Sequence, residues 1–572
     1  MTSDERPVSP AAKLISILLA LVPPARMAWI VFTFGENNLS NDYGLRVPLV
    51  MSMLDRTCSL VTFFREAWVA GGHSMIALIP IYYLNARFFD WSVGVELGIG
   101  LALVAITIAL LAGASSPSMR WMLLPLLSLL LFSTSRVTVF TFGEPTLQYG
   151  LSQFGVAIGA FALGRWSRKP IPLAAALVFG GLIASWSWGG GIMVWPVFAA
   201  GLALRRTRRA AAWAILAAGA MAGIAQYAWL LHRGLPGAPA GTASWATKSR
   251  LFLDLLGRPF VDGISDAAPD SWSQAAGVGG LLLLGALLVV LRTTLRERAA
   301  PLVLLAWTLL VTFQITLFRD DAAPWYASPI ALFWAGLLML LAGAPAPFRA
   351  GGIAVVALLS LRAQSTWEDK NFYLTSRSPA SAACLREWRT APMACGEHLF
   401  QWKGGAGADW LGKPLEKHHL SVFGSHRTYL LQGDAVLGRV AVETPERSAF
   451  LSRDGRTTGD LYDFHRLDLV LAPGAAVTWR VDLPSNLTSA RFETRVRAAP
   501  DDPMLARAAL VSVAEEAGSA RALAPAGGRE PLALDLRAYA GRTVTLRLSA
   551  EEADGGAPLV LEAPKIELRL AK

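Results

Sequence analysis

Of 572 residues, 53% are hydrophobic and only 16% are charged, and the mean hydropathy is +0.42. A soluble domain carries about 25% charged residues, so a chain that is soluble throughout is excluded and much of this one belongs in hydrocarbon. The net charge of +10 does not mark a nucleic-acid binder, because the basic residues fall in short clusters between apolar runs and trace no phosphate-tracking stripe.

A spanning helix needs about 20 apolar residues. Runs of that kind lie at 12–33, 93–113, 121–135, 147–164, 171–187, 190–204, 210–231, 275–291, 300–318, 329–345 and 350–363, about eleven crossings. Pro23-Pro24 predict a kink in the first of them. With Arg26, and with no small-residue cleavage site following, they also argue against a removable signal peptide. Between the first two runs, 47–68 reads as amphipathic and Gly71-Gly72 as a break. The stretch 74–89 is apolar but short, ending on Asn85, Arg87 and Asp90. It predicts a helix that dips into the membrane or lies along it.

Basic loops set the orientation. With Arg6 and Lys13 in the cytoplasm, alternation places Arg120, the Arg165/Arg168/Lys169 group, the Arg205 to Arg209 group, Arg292/Arg296/Arg298 and Arg349 on that same side. The opposite loops, 34–92, 136–146, 232–273 and 319–328, are longer and mixed in charge. Everything after about residue 364 then lies outside the cytoplasm.

From Thr428 the texture changes. Runs such as "AAVTWRVDLP", "SARFETRVRA", "RTVTLRLSAE" and "PKIELRL" alternate apolar with polar residues between Gly, Pro and Asp turns, the period-2 signature of half-buried strands. The expected fold class is therefore a mainly α polytopic membrane domain over 1–363, a mixed linker over 364–427, and an all-β, jelly-roll-like sandwich over 428–572. The linker carries Cys384 and Cys395. In an oxidising compartment these predict a disulfide, with Cys58 left free. Two unrelated thiols are the alternative. Zinc is disfavoured because His398 is the one nearby imidazole and such a site needs four ligands.

The first outer loop, "FGENNLSNDYGLRVP", sets the acids Glu36 and Asp42 among the amides Asn37, Asn38 and Asn41 directly after a span. An acid there can take a proton from an acceptor hydroxyl while a lipid-phosphate sugar donor approaches from the bilayer. The ordinary alternative is that Asn and Asp serve turns and caps. Arg136 with Glu144, and Arg319 with Asp320-Asp321, mark further outer loops. An interfacial arginine can pair with a phosphate or simply snorkel to lipid headgroups, and the adjacent aspartates could hold a divalent cation. No cofactor is otherwise indicated. Around 189–191, Trp186, Trp188 and Trp195 read first as interfacial anchors, and otherwise as sugar platforms or helix-packing residues.

An apolar helix, an acid at the head of a long outer loop, amphipathic helices and a His-led dipping helix resemble the GT-C superfamily, integral-membrane glycosyltransferases that use polyprenyl-phosphate-linked sugars. Protein O-mannosyltransferases, aminoarabinose transferases and mycobacterial arabinosyltransferases share that plan. The stretches "NDY", "GHSMIALIPIYYLNARFF", "WYASPIALFWAGLL" and "LEKHHLSVFG" are similar to uncharacterised bacterial members, over roughly 12–425. The resemblance implies Asp42 as catalytic base, with Glu36 and His73 in the same pocket. It also implies Asn41, Tyr326, Arg136 and Arg319 as substrate contacts, the arginines toward donor phosphate. Asn41 stands where many relatives carry a second acid, and Trp325 where they carry an arginine. The implied partners are a polyprenyl-phosphate-linked sugar, a glycan, lipid or protein acceptor, and membrane lipids, with the β domain holding or orienting the acceptor. Rival readings are a lipid or sugar transporter and a non-catalytic glycan-binding scaffold of the envelope.

Overall fold

The computed structural model describes residues 8–34, 39, 43–69, 74–141, 143–207, 209–232, 243–261, 271–319, 324–365 and 409–423. It further describes 439–442, 449–451, 457–458, 468–471, 476–483, 485, 487–498, 508–514, 521–525, 532–550 and 559–570. The chain divides into two compact units, one of Met1–Val31 and Pro48–Lys370, the other of Phe32–Val47 and Asn371–Lys572.

The first unit is helical. Helix α1, Pro10–Phe34, runs through Pro23 and Pro24 as one element. The amphipathic stretch is two helices, α2 (Tyr43–Leu54) and α3 (Leu60–Val69), with Arg56 at φ 59° just past the first. A left-handed residue at that position is a common helix stop. Helix α4, Ile79–Phe89, begins five residues later than the dipping helix expected from the sequence. Pro80 sits in its first turn, where the ring's fixed φ and missing N–H suit a helix start.

The polar end of α4 leads into a turn in which Asn85, Trp91, Ser92 and Glu96 are buried while Arg87 stays exposed. Asp90 and Trp91 are both left-handed, at φ 52° and 51°. Asn85 accepts from the Ser92 N–H at 3.1 Å and donates to the Ser92 carbonyl and to Glu96 Oε1, each at 2.9 Å. Glu96 also accepts from Trp91 Nε1 at 2.9 Å. This knot fixes the corner into α5, Val93–Ala114.

Then follow α6 (Pro117–Leu131), a 3-10 turn at Thr134–Arg136, α7 (Val137–Phe140) and α8 (Gly143–Arg165). Next come α9 (Pro170–Ser185), α10 (Val194–Leu204), α11 (Ala210–His232), α12 (Trp245–Gly257) and α13 (Ser271–Val290). The unit closes with α14 (Ala299–Phe318), α15 (Ala327–Leu341) and α16 (Ala346–Ser365). Among the described residues, six helices are long and apolar enough to cross a membrane, and four shorter ones are apolar. The chain is a multi-pass membrane protein.

Helix α8 lies at the centre of this unit. It packs against α5, α9, α14 and α15 and buries 17 of its 23 residues. Yet it belongs to neither apolar group, because Glu144, Gln148, Ser152 and Gln153 interrupt it. Its seam with α9 is closed by Gly155 and Gly180: a Cβ on either would run into the other's carbonyl oxygen. Small residues of this kind let membrane helices approach backbone to backbone.

Two expected outer loops are structured. The 136–146 connection is α7 and the first turn of α8, and the 232–273 connection contains α12, whose Ser244 side chain accepts from the Thr247 N–H at 3.2 Å. Within α12, Asp254 is fully buried, ion-paired to Arg258 Nε at 2.9 Å and hydrogen-bonded by Ser273 Oγ. Its charges face partners inside the protein, which the sequence alone disguises as loop polarity.

The second unit contains α17 (Asp409–Lys417) and strands in two sheets. Its strands are β1 (Arg439–Val442), β2 (Ala449–Leu451), β3 (Thr457–Thr458), β4 (Asp468–Leu471), β5 (Ala476–Asp482) and β6 (Leu487–Ala498). After them come β7 (Ala508–Ala514), β8 (Arg521–Pro525), β9 (Leu532–Asp535), β10 (Thr543–Ala550) and β11 (Leu559–Leu570). One sheet has the order β1-β5-β10-β7-β8, the other β3-β2-β4-β11-β6-β9, with antiparallel pairing throughout. Ala490, Phe492, Thr494 and Val496 are buried at every second position of β6, as a half-buried strand requires. The β11–β6 register shifts between Glu562 and Lys565, across Pro564, which has no N–H for the ladder. Gly541 turns β9 into β10 at φ 77°.

Candidate functional site

The acid-bearing loop residues Glu36, Asn41 and Asp42, and likewise His73, lie outside the described residues, as do Asp320-Asp321, Cys384, Cys395 and His398. Their anchor points are described. Leu39, Tyr43 and Arg46, which belong to the second unit, are buried. Immediately after His73, Ser74 and Met75 are fully buried, the Met75 N–H donating to the Ala67 carbonyl at 3.0 Å. The Ala77 N–H donates to the Trp186 carbonyl, also at 3.0 Å. These bonds tie the start of the dipping segment to α3 and to the end of α9. Cys58 is half-buried and free.

Arg136 is placed differently from the outer-loop residue the sequence suggested: it is completely buried. The short turn that carries it is held from three sides. Ser133 caps it through the Ser135 N–H, Thr134 Oγ1 donates to the Ala363 carbonyl at 2.9 Å, and Ser135 Oγ donates to the Pro259 carbonyl at 2.6 Å. The guanidinium lies 5.4 Å from the centre of the Phe140 ring, and Nη1 donates a long 3.4 Å bond to the Ser328 carbonyl. Nε and Nη2 have no hydrogen-bond partner among the described residues.

Ser328 collects a second donor, Gln153 of α8, whose amide reaches both its carbonyl and its hydroxyl, the latter at 3.1 Å. Among the described residues, the buried Gln153 Oε1 and Gln148 Nε2 atoms have no hydrogen-bond partner. Two residues before Ser328, the buried Tyr326 stands 6.3 Å from the Trp325 ring, on a 3-10 turn packed against α7. The structure therefore brings Arg136 and the Tyr326 turn to one buried polar patch with Gln153 and Ser328. Arg319, by contrast, is exposed at the end of α14. Gln153 and Ser328 were not singled out from the sequence. The available signal was polar side chains inside apolar runs, which in a membrane domain face the protein interior.

Chemically, the patch is a cation short of partners among the described residues. A buried guanidinium with unmet N–H groups is strongly destabilising unless an anion or water meets it. Its planar fork matches a phosphate or carboxylate in a bidentate way. Among the described residues, no group of three or more His, Cys, Asp or Glu side chains could hold a metal ion.

Of the three tryptophans around 189–191, Trp186 is half-buried. Trp188 and Trp195 are buried. The Trp195 indole occupies the space left open by Gly181 and Gly223, where added Cβ atoms would sit 2.6 and 2.5 Å from ring atoms. This is helix packing, made possible by glycines on the facing helices α9 and α11.

No protein-family model matches the chain, and no curated protein matches it. Two cryo-EM structures of a mutant arabinofuranosyltransferase AftD from Mycobacteria are similar to it. The identities are 11% and 12%, the TM-scores 0.31 and 0.28, and the alignments cover 99% and 98% of this chain. The chain spans 63% and 61% of the length of those two proteins.

Proposed function

We propose that the chain is a GT-C-like membrane glycosyltransferase. It moves a sugar from a polyprenyl-phosphate carrier to an envelope glycan, lipid or protein at the outer face of a bacterial inner membrane. The observation that carries this reading is Arg136, buried beside Gln153 and Ser328 in a multi-pass helical domain, with two N–H groups unmet among the described residues. Intramembrane ionisable residues of this kind mark substrate paths, and the fork suits the phosphate of a lipid-borne donor.

The reaction is an inverting displacement. Asp42 takes the proton of the acceptor hydroxyl, the oxygen attacks the anomeric carbon, and the carbon–oxygen bond to phosphate breaks with its electron pair leaving on the carrier. Arg136 stabilises that growing charge. Glu36 and His73 assist the transfer, Asn41 and Tyr326 contact substrate, and Arg319 meets the donor head at the membrane surface. About eleven helices cross the bilayer, Cys384 and Cys395 form a disulfide, and the two sheets pack as a sandwich that orients the acceptor.

The test is transfer of radiolabelled sugar from polyprenyl-phosphate donors by the purified chain. Asp42→Asn keeps the size and removes the base, so transfer falls by about 10²–10⁴-fold. A correctly inserted Asp42→Asn protein that fully restores the glycan of a deletion strain defeats the enzyme reading in favour of a scaffold.

A further inference from the structure

The buried patch holds one arrangement with no place in the chemistry above. Two donors converge on a single acceptor, the Ser328 carbonyl oxygen in the first turn of α15. Gln153 Nε2, which is neutral, bonds that carbonyl and also reaches the Ser328 hydroxyl at 3.1 Å. Arg136 Nη1, which is charged, stands off at 3.4 Å. The usual ranking is the reverse, because a bond from an ionised donor is shorter than a neutral one and about twice as strong. Here the weaker donor holds the oxygen and the stronger one is kept from it.

Neither backbone depends on this contact. Helix α8 is fixed against α9 just before and just after Gln153, by the Ser152 hydroxyl on the Ala184 carbonyl at 3.3 Å and by the Gly155–Gly180 seam. The turn carrying Arg136 is tied down separately, by Thr134 on the Ala363 carbonyl and Ser135 on the Pro259 carbonyl. What the glutamine governs is the end of the arginine side chain. With Phe140 beside the guanidinium and the Ser328 carbonyl taken, Nε and Nη2 have no acceptor among the described residues. The Gln153 Oε1 atom has no donor there either, so the amide does not itself neutralise the cation.

We infer that Gln153 is a positioning residue for Arg136. By holding the Ser328 carbonyl, it keeps the guanidinium from closing onto the protein and leaves its fork to the anion of a ligand. The inference rests on the transferase reading for naming that anion as the donor phosphate. Without the glutamine, the arginine settles on the carbonyl, gaining a protein partner and losing hold of the ligand. A merely structural glutamine would instead tie α8 to α15, and its loss would weaken the fold and leave ligand affinity alone.

The experiment uses the full-length chain in detergent and unlabelled polyprenyl monophosphate as the probe. Two quantities are read by scanning fluorimetry: the thermal midpoint without lipid, and the lipid concentration that gives half of the maximal shift. In Gln153→Leu that concentration is expected to rise about tenfold, with the lipid-free midpoint held or raised. Gln153→Glu keeps the size and sets a carboxylate beside the guanidinium, so the midpoint rises and the lipid shift disappears. It gives the same decision if Gln153→Leu fails to fold. Arg136→Met binds weakly through the lipid chain alone, and Gln153→Leu adds no further loss in that background. Non-additivity of this kind is the signature of a residue acting through its neighbour.

A lipid-free midpoint lowered by both Gln153 variants, with the half-shift concentration unmoved, overturns the inference. So does an undiminished effect of Gln153→Leu in the Arg136→Met background. If the binding pattern holds while no donor supports transfer, the positioning role stands and the transferase reading falls. Transfer by the parent chain whose kcat and donor KM neither Gln153 variant changes removes the positioning role alone.

Discussion

Arg136 is the residue at which stability and function separate. Replacing a buried, poorly paired charge with an apolar side chain of similar volume is often neutral or stabilising, by about 1–4 kcal/mol. Arg136→Met is therefore expected to hold or raise the thermal midpoint of the purified protein while transfer from the lipid-linked donor collapses. A structural role gives the opposite pattern, a lower midpoint with transfer lost only in proportion. At the same scale, the cysteine proposal is checked by thiol labelling without reductant: Cys58 alone is expected to react, and modification of all three rejects the bridge. The sequence exposed these residues unequally. Asp42 and Arg136 stood out because charge is scarce near the spans. Gln153 and Ser328 did not, because an amide and a hydroxyl inside apolar runs look like tolerated polarity until the fold turns both onto one spot.

At the scale of elements, apolar length was a sufficient guide to helices, and all eleven expected spans are helical. It failed where a helix hides its charges. The 232–273 stretch read as a loop of mixed charge, yet within it Asp254 of α12 pairs with Arg258 and Lys248 Nζ donates to the Leu317 carbonyl at 2.9 Å. The alternating strands β5, β6, β7, β10 and β11 were legible from their period. Short strands such as β2 and β3 carry too few residues to display one. Close contact between α8 and α9 yields a further prediction. Gly155→Leu forces the two helices apart, and overpacking of this kind costs about 1–3 kcal/mol. Differential scanning fluorimetry in detergent should show a lowered midpoint, which Gly285→Leu, facing open space, should not produce.

For the whole molecule, the orientation drawn from the basic loops is the claim on which the reaction's location depends. A reporter active only outside the cytoplasm is expected to be bright when fused after Lys572 and dark when fused near Arg206. A bright Arg206 fusion would put the donor and the acceptor on the wrong side.

The polarity of α8 has a consequence for how the chain enters the bilayer. Insertion by the translocon is governed by each segment's own transfer free energy, and polar side chains near the middle of a helix oppose it. Taken alone, the segment Gly143–Arg165 is a poor client. Its glutamine and glutamate side chains become tolerable only against protein, and its earliest neighbour, α5, is already synthesised when α8 emerges. Biogenesis is thus expected to be ordered, with α5 acting as an intramolecular chaperone for α8. In a glycosylation-mapping assay, 143–165 placed in a neutral host should fail to insert, and the same segment preceded by 93–141 should succeed.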